Sequence, residues 1–345
     1  MASNRRRIIV IGASAGGVAA LLRIVQGLTP RLAAPVLLTL HIGSHRSIVP
    51  EVLQGRGKVR AEWAQTGVEP VPGRIYVAPP DQHLLLEDDR LRLFRGPKEH
   101  HARPAIDPMF RSAALAGGAR IVGVILSGML DDGAAGLRAI EACGGTTVVQ
   151  DPGDAEQPSM PRNALTNTEV DHVVRLDAMA DLLTALAEPL HEPVPVNAPQ
   201  WLRIEHAISL GTAGMSELAS IGAASRLTCP DCGGSLFELG KEGPPRFRCH
   251  TGHAFSLHSL AQTQNERTED ALWVGIRELQ EKSDILRRLA AEQASVEAGS
   301  ENALVAEADR VDSVAQRMRA LLMHVPATPD TDDPETQAAQ PSPDV

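Results

Sequence analysis

The stretch Ile8-Ile9-Val10-Ile11-Gly12-Ala13-Ser14-Ala15-Gly16-Gly17 decides the fold. Four β-branched residues run into Gly12, and Ser14, a glycine pair and an apolar run from Val18 follow. The pattern predicts a buried strand, a tight turn and a helix start. It sets a serine hydroxyl at the carboxyl end of a strand and the amino end of a helix. Glycines permit the tight backbone there, and helix amides favour developing negative charge. Gly12 to Gly16 also fits G-x-S-x-G, the turn that presents a nucleophilic serine. Two rival readings exist. One is a plain tight turn with a capping serine. The other is the dinucleotide fingerprint G-x-G-x-x-G, but Ser14 occupies its second glycine and the next strand ends in His41 instead of a ribose-binding acid.

Working outward, apolar runs at 36–40, 74–78, 121–126, 146–149 and 172–176 alternate with helical patterns at 18–28, 108–115, 133–142 and 179–186. Such alternation predicts an α/β fold, a doubly wound and mostly parallel sheet with helices on both faces. Residues 84–94 alternate around Asp88-Asp89 and read as a hairpin at one end of that sheet. The catalytic domain is expected over 1–187, a Pro-rich linker over 188–200, and one short helix, a loop and a cysteine-bearing module over 201–256. A helical hairpin is expected over 257–325 and a disordered tail over 326–345.

Composition narrows the function classes. A net charge of −10 and 3% aromatic residues argue against nucleic acid and anionic membranes as partners. No apolar run reaches about 18 residues, so no membrane insertion is expected. The amino terminus Met1-Ala2-Ser3-Asn4-Arg5-Arg6-Arg7 lacks the apolar core of a signal peptide, so a cytoplasmic location is expected.

A serine nucleophile needs a base, and the base an orienting acid. The strand 36–40 runs into His41, and the strand 121–126 runs into Ser127-Gly128-Met129-Leu130-Asp131-Asp132-Gly133. Loops at the carboxyl ends of neighbouring parallel strands meet at the switch point of such a sheet, so Ser14, His41 and one of the two aspartates can meet there. The chain order Ser, His, Asp differs from that of the α/β-hydrolases.

The chain resembles the catalytic domain of the CheB chemotaxis-receptor methylesterases over about residues 6–187. The resemblance rests on IGASAGG (11–17), His41, GRIYVAPPDQH (73–83), RPAIDPMF (103–110), VILSGMLDDGAAG (124–136) and MPRNA (160–164). It implies Ser14 as nucleophile, His41 as general base and acid, and Asp132 as orienting carboxylate, leaving Asp131 as an extra charge. It further implies the main-chain amides of His41 and Met129 as oxyanion donors and Arg103 as a substrate contact. The implied reaction is hydrolysis of glutamyl methyl esters on chemoreceptors or related signalling proteins, with glutamine deamidation through the same tetrahedral intermediate and no catalytic cofactor. Departures are the absence of a receiver domain before the first strand, Ala13 and Ala15 where hydroxyl residues flank the family's serine, and Leu130 where glycine is usual. A separate response regulator docking on residues 200–324 is one candidate partner. His45, four residues past His41, reads as a solvated loop residue, with a second imidazole near the site as the alternative.

Cys229-Pro230-Asp231-Cys232 and Cys249-His250-Thr251-Gly252-His253 lie 16 residues apart, counted between Cys232 and Cys249. C-x-x-C followed by C-x-x-x-H supplies four ligands for a structural zinc: Cys229, Cys232, Cys249 and His253, with His250 as the alternative fourth. Cys143 reads as a small core residue. The apolar spacing of 272–289 and 304–321 suits an antiparallel helix pair, serving either association or packing on the cysteine module. The alternative to an esterase is an esterase fold kept as a scaffold, for which the serine, histidine and aspartate would be dispensable.

Overall fold

The computed structural model describes residues 6–43, 46–240, 244–294 and 302–324. His45 and the tail from 326 lie outside them. The chain runs β1 (Ile8–Ala13), α1 (Gly17–Gly27), β2 (Val36–Leu40), α2 (Val49–Arg56), β3 (Arg60–Trp63), β4 (Arg74–Val77), β5 (His83–Glu87), β6 (Arg90–Phe94), α3 (Ile106–Gly117), β7 (Ile121–Ile125), α4 (Ala134–Ala142), β8 (Thr146–Gln150), α5 (Ser159–Asn167), β9 (His172–Val174) and α6 (Leu176–Leu186). Then come α7 (Gln200–Ser209), α8 (Met215–Ile221), β10 (Gly222–Thr228), β11 (Ser235–Leu239), β12 (Arg246–Cys249), β13 (Ala254–Ser256), α9 (Leu257–Ala294) and α10 (Asn302–His324). Two compact units result, Met1–Leu260 and Ala261–Val345.

The first unit is built on a seven-stranded sheet in the order β3-β4-β2-β1-β7-β8-β9, with every neighbouring pair parallel. The expected α/β class is therefore what forms. All of β1 is buried, as its unbroken apolar run requires. Successive side chains point to opposite faces. Ile9, Ile11 and Ala13 join a core under α1 and α6. Ile8 and Val10 join a second core with Ile106, Phe110, Leu137 and Met160 from α3, α4 and α5.

Three details depart from the sequence reading. Strand β3 was not foreseen, because Arg60 and Glu62 break the apolar pattern and an edge strand needs only partial burial. The 84–94 hairpin does not extend the main sheet. It forms a two-stranded sheet of its own, and Leu84, Leu86 and Leu91 join the α3-side core. Its turn holds Asp88 and Asp89 at φ 49° and 58°, the left-handed pair of a type I′ turn. Residues 201–220 hold two helices, α7 and α8, in place of one helix and a loop.

The cysteine-bearing segment forms a four-stranded sheet, β10-β11-β12-β13, with antiparallel neighbours. A buried ionic chain joins it to the α/β part. Arg111 of α3 holds Glu99 (Nη1–Oε2 2.8 Å). Arg248 of β12 reaches Glu99 (3.2 Å) and Glu205 of α7 (3.0 Å), and Arg246 also reaches Glu205 (3.1 Å). Burial opposes ionisation of both glutamates, but the arginine charges hold both carboxyls well below the usual range.

In the second unit, α9 and α10 run antiparallel, with Ser283 Oγ near the Ala308 carbonyl (3.4 Å) and Arg287 paired to Asp309 (2.8 Å) and Asp312 (2.7 Å). Ile276, Ala290, Ala308, Val311 and Ala315 are buried. Among the described residues no helix is long and apolar enough to cross a membrane.

Removing one member of a fully buried ion network leaves its partners undercompensated. Arg248→Met is therefore expected to lower the unfolding free energy by roughly 3 kcal/mol, read from urea denaturation. A midpoint within error of wild type would show that the chain of charges is energetically idle.

Candidate active site and metal cluster

Three adjacent strands, β2, β1 and β7, deliver the expected residues to one crevice. Ser14 follows β1, just before α1, whose cap is Gly16 at φ 73°. The left-handed backbone makes glycine the fitting residue there. Ser14 is pinned from both sides: its amide donates to the Ser127 carbonyl (3.0 Å) and its carbonyl accepts from Gly17 (2.9 Å). A side chain at Gly128 would place its first carbon 2.9 Å from Ser14 Cβ and 2.7 Å from Met160 Sδ, so only glycine allows the β7 loop this close.

His41 ends β2. Its Nδ1 lies 3.1 Å from Ser14 Oγ, and its Nε2 lies 2.7 Å from Asp132 Oδ2. With the proton on Nε2, where the carboxylate accepts it, Nδ1 is free to accept the serine hydroxyl. The imidazole is partly exposed (23%) while the carboxylate is buried (3%).

Asp132 is also a helix cap. Oδ2 accepts the Ile106 amide (2.7 Å) and Oδ1 the Asp107 amide (3.0 Å), both at the amino end of α3. Asp107 returns the arrangement: its Oδ1 accepts the Gly133 (3.0 Å) and Gly136 (2.6 Å) amides at the start of α4. Burial pushes both carboxyls up. For Asp132 the His41 hydrogen bond and the His100 charge outweigh burial and hold it below the usual value. For Asp107 burial and the neighbouring Asp132 prevail over the His100 hydrogen bond, and its carboxyl sits high.

Asp131 takes no part in the relay. Its Oδ1 accepts the Ser256 hydroxyl (2.7 Å) and lies 3.7 Å from His100 Nδ1. Two expected substrate-side contacts are placed differently. The His41 amide donates to the Ala13 carbonyl (3.2 Å), continuing the β1–β2 ladder, so it is already spent. Arg103 donates to Asp81 (2.8 and 2.6 Å) and to the Gly96 carbonyl (2.6 Å), which ties its guanidinium to the loops flanking the 84–94 hairpin. The Met129 amide has no backbone partner among the described residues. Leu130, next to it, stands at φ 60°, a left-handed conformation costing about 1–2 kcal/mol outside glycine. Its carbonyl is held by Ser159 Oγ (3.2 Å) and Asn163 Nδ2 (2.9 Å) of α5, which fixes that turn.

The reading of sequence missed Asp107, His83 and His100. Asp107 carried a signal, as an acid in the first turn of an apolar helix pattern. His83 accepts the Ala105 amide (3.2 Å) and meets the Pro97 carbonyl (2.9 Å), and burial keeps its pKa low. His100 carries no sequence signal. Its Nε2 meets Asp107 Oδ2 (3.0 Å) and its Nδ1 meets Ser259 Oγ (3.1 Å). Burial alone would lower its pKa, but Asp107, Asp132 and Asp131 raise it to about 10.

At the far end of the segment, ligand atoms of Cys229, Cys232, Cys249 and His253 all lie within 4.8 Å of one another, and this cluster could hold a metal ion. Around a tetrahedral ion bound at ~2.3 Å by sulfur and ~2.05 Å by nitrogen, ligand pairs stand ~3.8 Å (S–S) and ~3.6 Å (S–N) apart. Cys232 and Cys249 sulfurs are 3.8 Å apart and Cys249 Sγ is 3.6 Å from His253 Nδ1. The His250 ring, the alternative ligand, lies instead against Gly234, within 3.1 Å of where a side chain would begin.

Serine, imidazole and buried carboxylate in relay, at the switch point of a parallel sheet, define an α/β protein built for acyl transfer. The comparisons agree. The profile of the CheB methylesterase family matches residues 9–183. A Leptospira interrogans protein named for protein-glutamate methylesterase/protein-glutamine glutaminase is 38% identical over 180 residues, 52% of this chain and 93% of that one. An Anaeromyxobacter dehalogenans protein-glutamate methylesterase/protein-glutamine glutaminase is 36% identical over 192 residues, but this chain spans only 54% of its length. The crystal structure of the Thermotoga maritima CheB methylesterase catalytic domain superposes with a TM-score of 0.51 at 28% identity, covering 52% of this chain and 98% of that one. The chain belongs to the CheB methylesterase family.

The raised pKa of His100 has a consequence for stability. The folded chain keeps this proton where an unfolded imidazole, near 6.5, has lost it. The contribution is complete below about 6.5 and vanishes as pH climbs through about 10. Urea midpoints are expected to fall across that window, and to fall less in His100→Gln. Identical slopes in the two proteins would count against a buried imidazolium.

Proposed function

We propose that the chain is a serine hydrolase that removes methyl esters from glutamate side chains of chemoreceptor-like proteins and deamidates glutamine in the same site. The observation that carries this reading is the continuous relay from Ser14 Oγ through His41 to Asp132, together with family membership. His41 Nδ1 takes the Ser14 proton as the hydroxyl attacks the ester carbonyl. Asp132, held anionic and fixed by two α3 amides, steadies the imidazolium that forms. The Met129 amide serves the oxyanion. The His41 amide joins it only by leaving the Ala13 carbonyl. Collapse of the tetrahedral intermediate expels methanol, or ammonia from an amide, after His41 returns the proton. Water then resolves the acyl-enzyme by the reverse path. No cofactor enters these steps.

The 1–187 part is proposed as the catalytic domain and the cysteine cluster as a structural zinc site, held by Cys229, Cys232, Cys249 and His253. Three thiolates and one imidazole make a closed set with no open position for chemistry. A cytoplasmic setting, a methylated receptor as substrate and a separate response regulator as controlling partner complete the proposal. Arg103, tied to Asp81, would meet substrate only by releasing it.

Methanol release from a methylated receptor fragment is expected from wild type and abolished in Ser14→Ala. Asp132→Asn should lower kcat by about 10⁴-fold, because the imidazole loses its orienting anion. Release that persists in Ser14→Ala would end the serine-hydrolase reading, and no release with no fluorophosphonate labelling would favour a scaffold. Elemental analysis should find one zinc per chain in wild type and none in Cys249→Ser. A metal-free wild type purified without chelator would remove the zinc assignment.

A further inference from the structure

Asp107, Asp131 and Asp132 are three buried carboxylates crowded at one point. Such a group needs a compensating cation, since an isolated buried charge is costly. The basic groups facing the trio are His41, on the crevice side of Asp132, and His100 behind it, with Arg111 adding its charge toward Asp107 from the Glu99 pair and buried His83 close enough to feel the Asp132 charge. His100 touches all three acids: Nε2 is 3.0 Å from Asp107 Oδ2 and 3.9 Å from Asp132 Oδ1, and Nδ1 is 3.7 Å from Asp131 Oδ1. Its side chain is only 8% exposed.

The backbone that carries His100 is costly to hold. His100 and His101 stand at φ 50° and 59° in a turn closed by the Glu99–Ala102 pair. This is a type I′ geometry that normally selects Asn-Gly, here made from two histidines. One group from β13 of the cysteine-bearing segment and one from the first turn of α9 hold it in place. The His100 amide donates to the Ala254 carbonyl of β13 (2.8 Å), and Ser259 Oγ meets His100 Nδ1 (3.1 Å). Ser256 and Ser259 are bonded to each other (3.1 Å), and Ser256 also donates to Asp131 (2.7 Å). Backbone strain that local sequence does not favour, maintained by contacts from a distant segment, is the usual mark of a functional position.

We propose that His100 is a positioning residue for the orienting carboxylate Asp132, and that the cysteine-bearing segment and the first turn of α9 complete the active site by clamping Asp131 through Ser256 and His100 through Ser259. His100 meets no reacting atom. It acts by neutralising the carboxylate cluster, so that Asp132 stays anionic and Asp107 stays docked on the α4 amides that follow Asp132. The segment is thus part of the catalytic machinery as well as a neighbouring fold.

This inference rests on the serine-hydrolase reading, and the test separates the two. The full chain is assayed for methanol release from a methylated receptor fragment and for fluorophosphonate labelling of Ser14, across pH. His100→Gln keeps a hydrogen-bonding side chain and removes the charge. It is expected to lower kcat by roughly 10- to 100-fold with KM little changed, the scale seen when a supporting residue behind a functional ligand is lost. Without the cation Asp132 protonates more readily, so the acid limb of the profile should move upward by roughly one pH unit. Ser259→Ala keeps the charge but frees the ring, and should lower kcat by roughly threefold or more. It carries the test alone if His100→Gln does not fold. A kcat and acid limb unchanged in His100→Gln, or a wild-type kcat in Ser259→Ala, would overturn the proposal. A wild type that neither turns over nor labels would overturn the hydrolase reading beneath it.

Discussion

The crossed capping of two helices by two aspartates is the interaction on which the site depends. Asp132 closes the amino end of α3, and Asp107, from the first turn of α3, closes the amino end of α4. Helix amino ends leave unsatisfied amides and a partial positive charge, and each acid answers both needs of the other's helix. Neither α3 nor α4 has a capping side chain of its own. The catalytic carboxylate is therefore a structural element before it is a chemical one. Its orientation toward His41 is set by two backbone amides, whose rigidity comes from the helix and the core beneath it. Asp132→Asn would disturb both roles, whereas Ser14→Ala touches the chemistry alone.

Much of this was legible in the sequence, and for identifiable reasons. The β1 turn was readable because its burial is complete and its glycines punctuate the chain. The meeting of Ser14, His41 and one of two aspartates followed from a rule of parallel sheets, that adjacent strands deliver their carboxyl-terminal loops to one place, and the choice of Asp132 over Asp131 came from the family resemblance. The cysteine cluster was readable because ligand spacing in a knuckle is short-range. What escaped notice was long-range or unpatterned. His100 gains its partners from residues 107, 131 and 259, and no periodicity marks it. Charged residues in β3 and the acidic turn of the 84–94 hairpin obscured where those segments would lie. Arg103 looked available for a ligand because a sequence does not show that Asp81 and the Gly96 carbonyl already hold it.

The cysteine-bearing segment is anchored to the α/β part by apolar and ionic contacts together: Leu202 of α7 is buried in the α3-side core. Its own cores are small: Cys229, Leu236, Phe247, Cys249 and Phe255 with Leu260 of α9 form one, and Ile208, Leu218, Phe237 and Leu239 form the other. The ionic tie runs through Glu99, Arg111, Arg248 and Glu205. Such a chain of charges tolerates few alternatives in register, because each guanidinium must meet its carboxylate in a dry setting. That precision suits a segment whose Ser256 reaches Asp131 and which leads directly into the α9 turn whose Ser259 meets His100. The relative from Leptospira interrogans is covered over 93% of its length by the matched region, which leaves little chain for a comparable segment there.

The order of the strands has a consequence in time. β1 is the central strand, and its partner β7 pairs Ile8 with Ile121. During synthesis Ser14 and His41 leave the ribosome early and can come together on β1 and β2 alone. Asp132 follows only after the intervening hairpin and α3, and Ser259 after nearly the whole first unit. At a usual elongation rate the nascent chain spends roughly 10 to 50 seconds between its first strand and the residue that closes the back of its catalytic acid. The hydrophobic edge of β1 that awaits β7 lacks its partner for the first part of that interval, until residue 125 is made roughly 5 to 25 seconds after β1, and over that time the newborn protein needs shelter from aggregation.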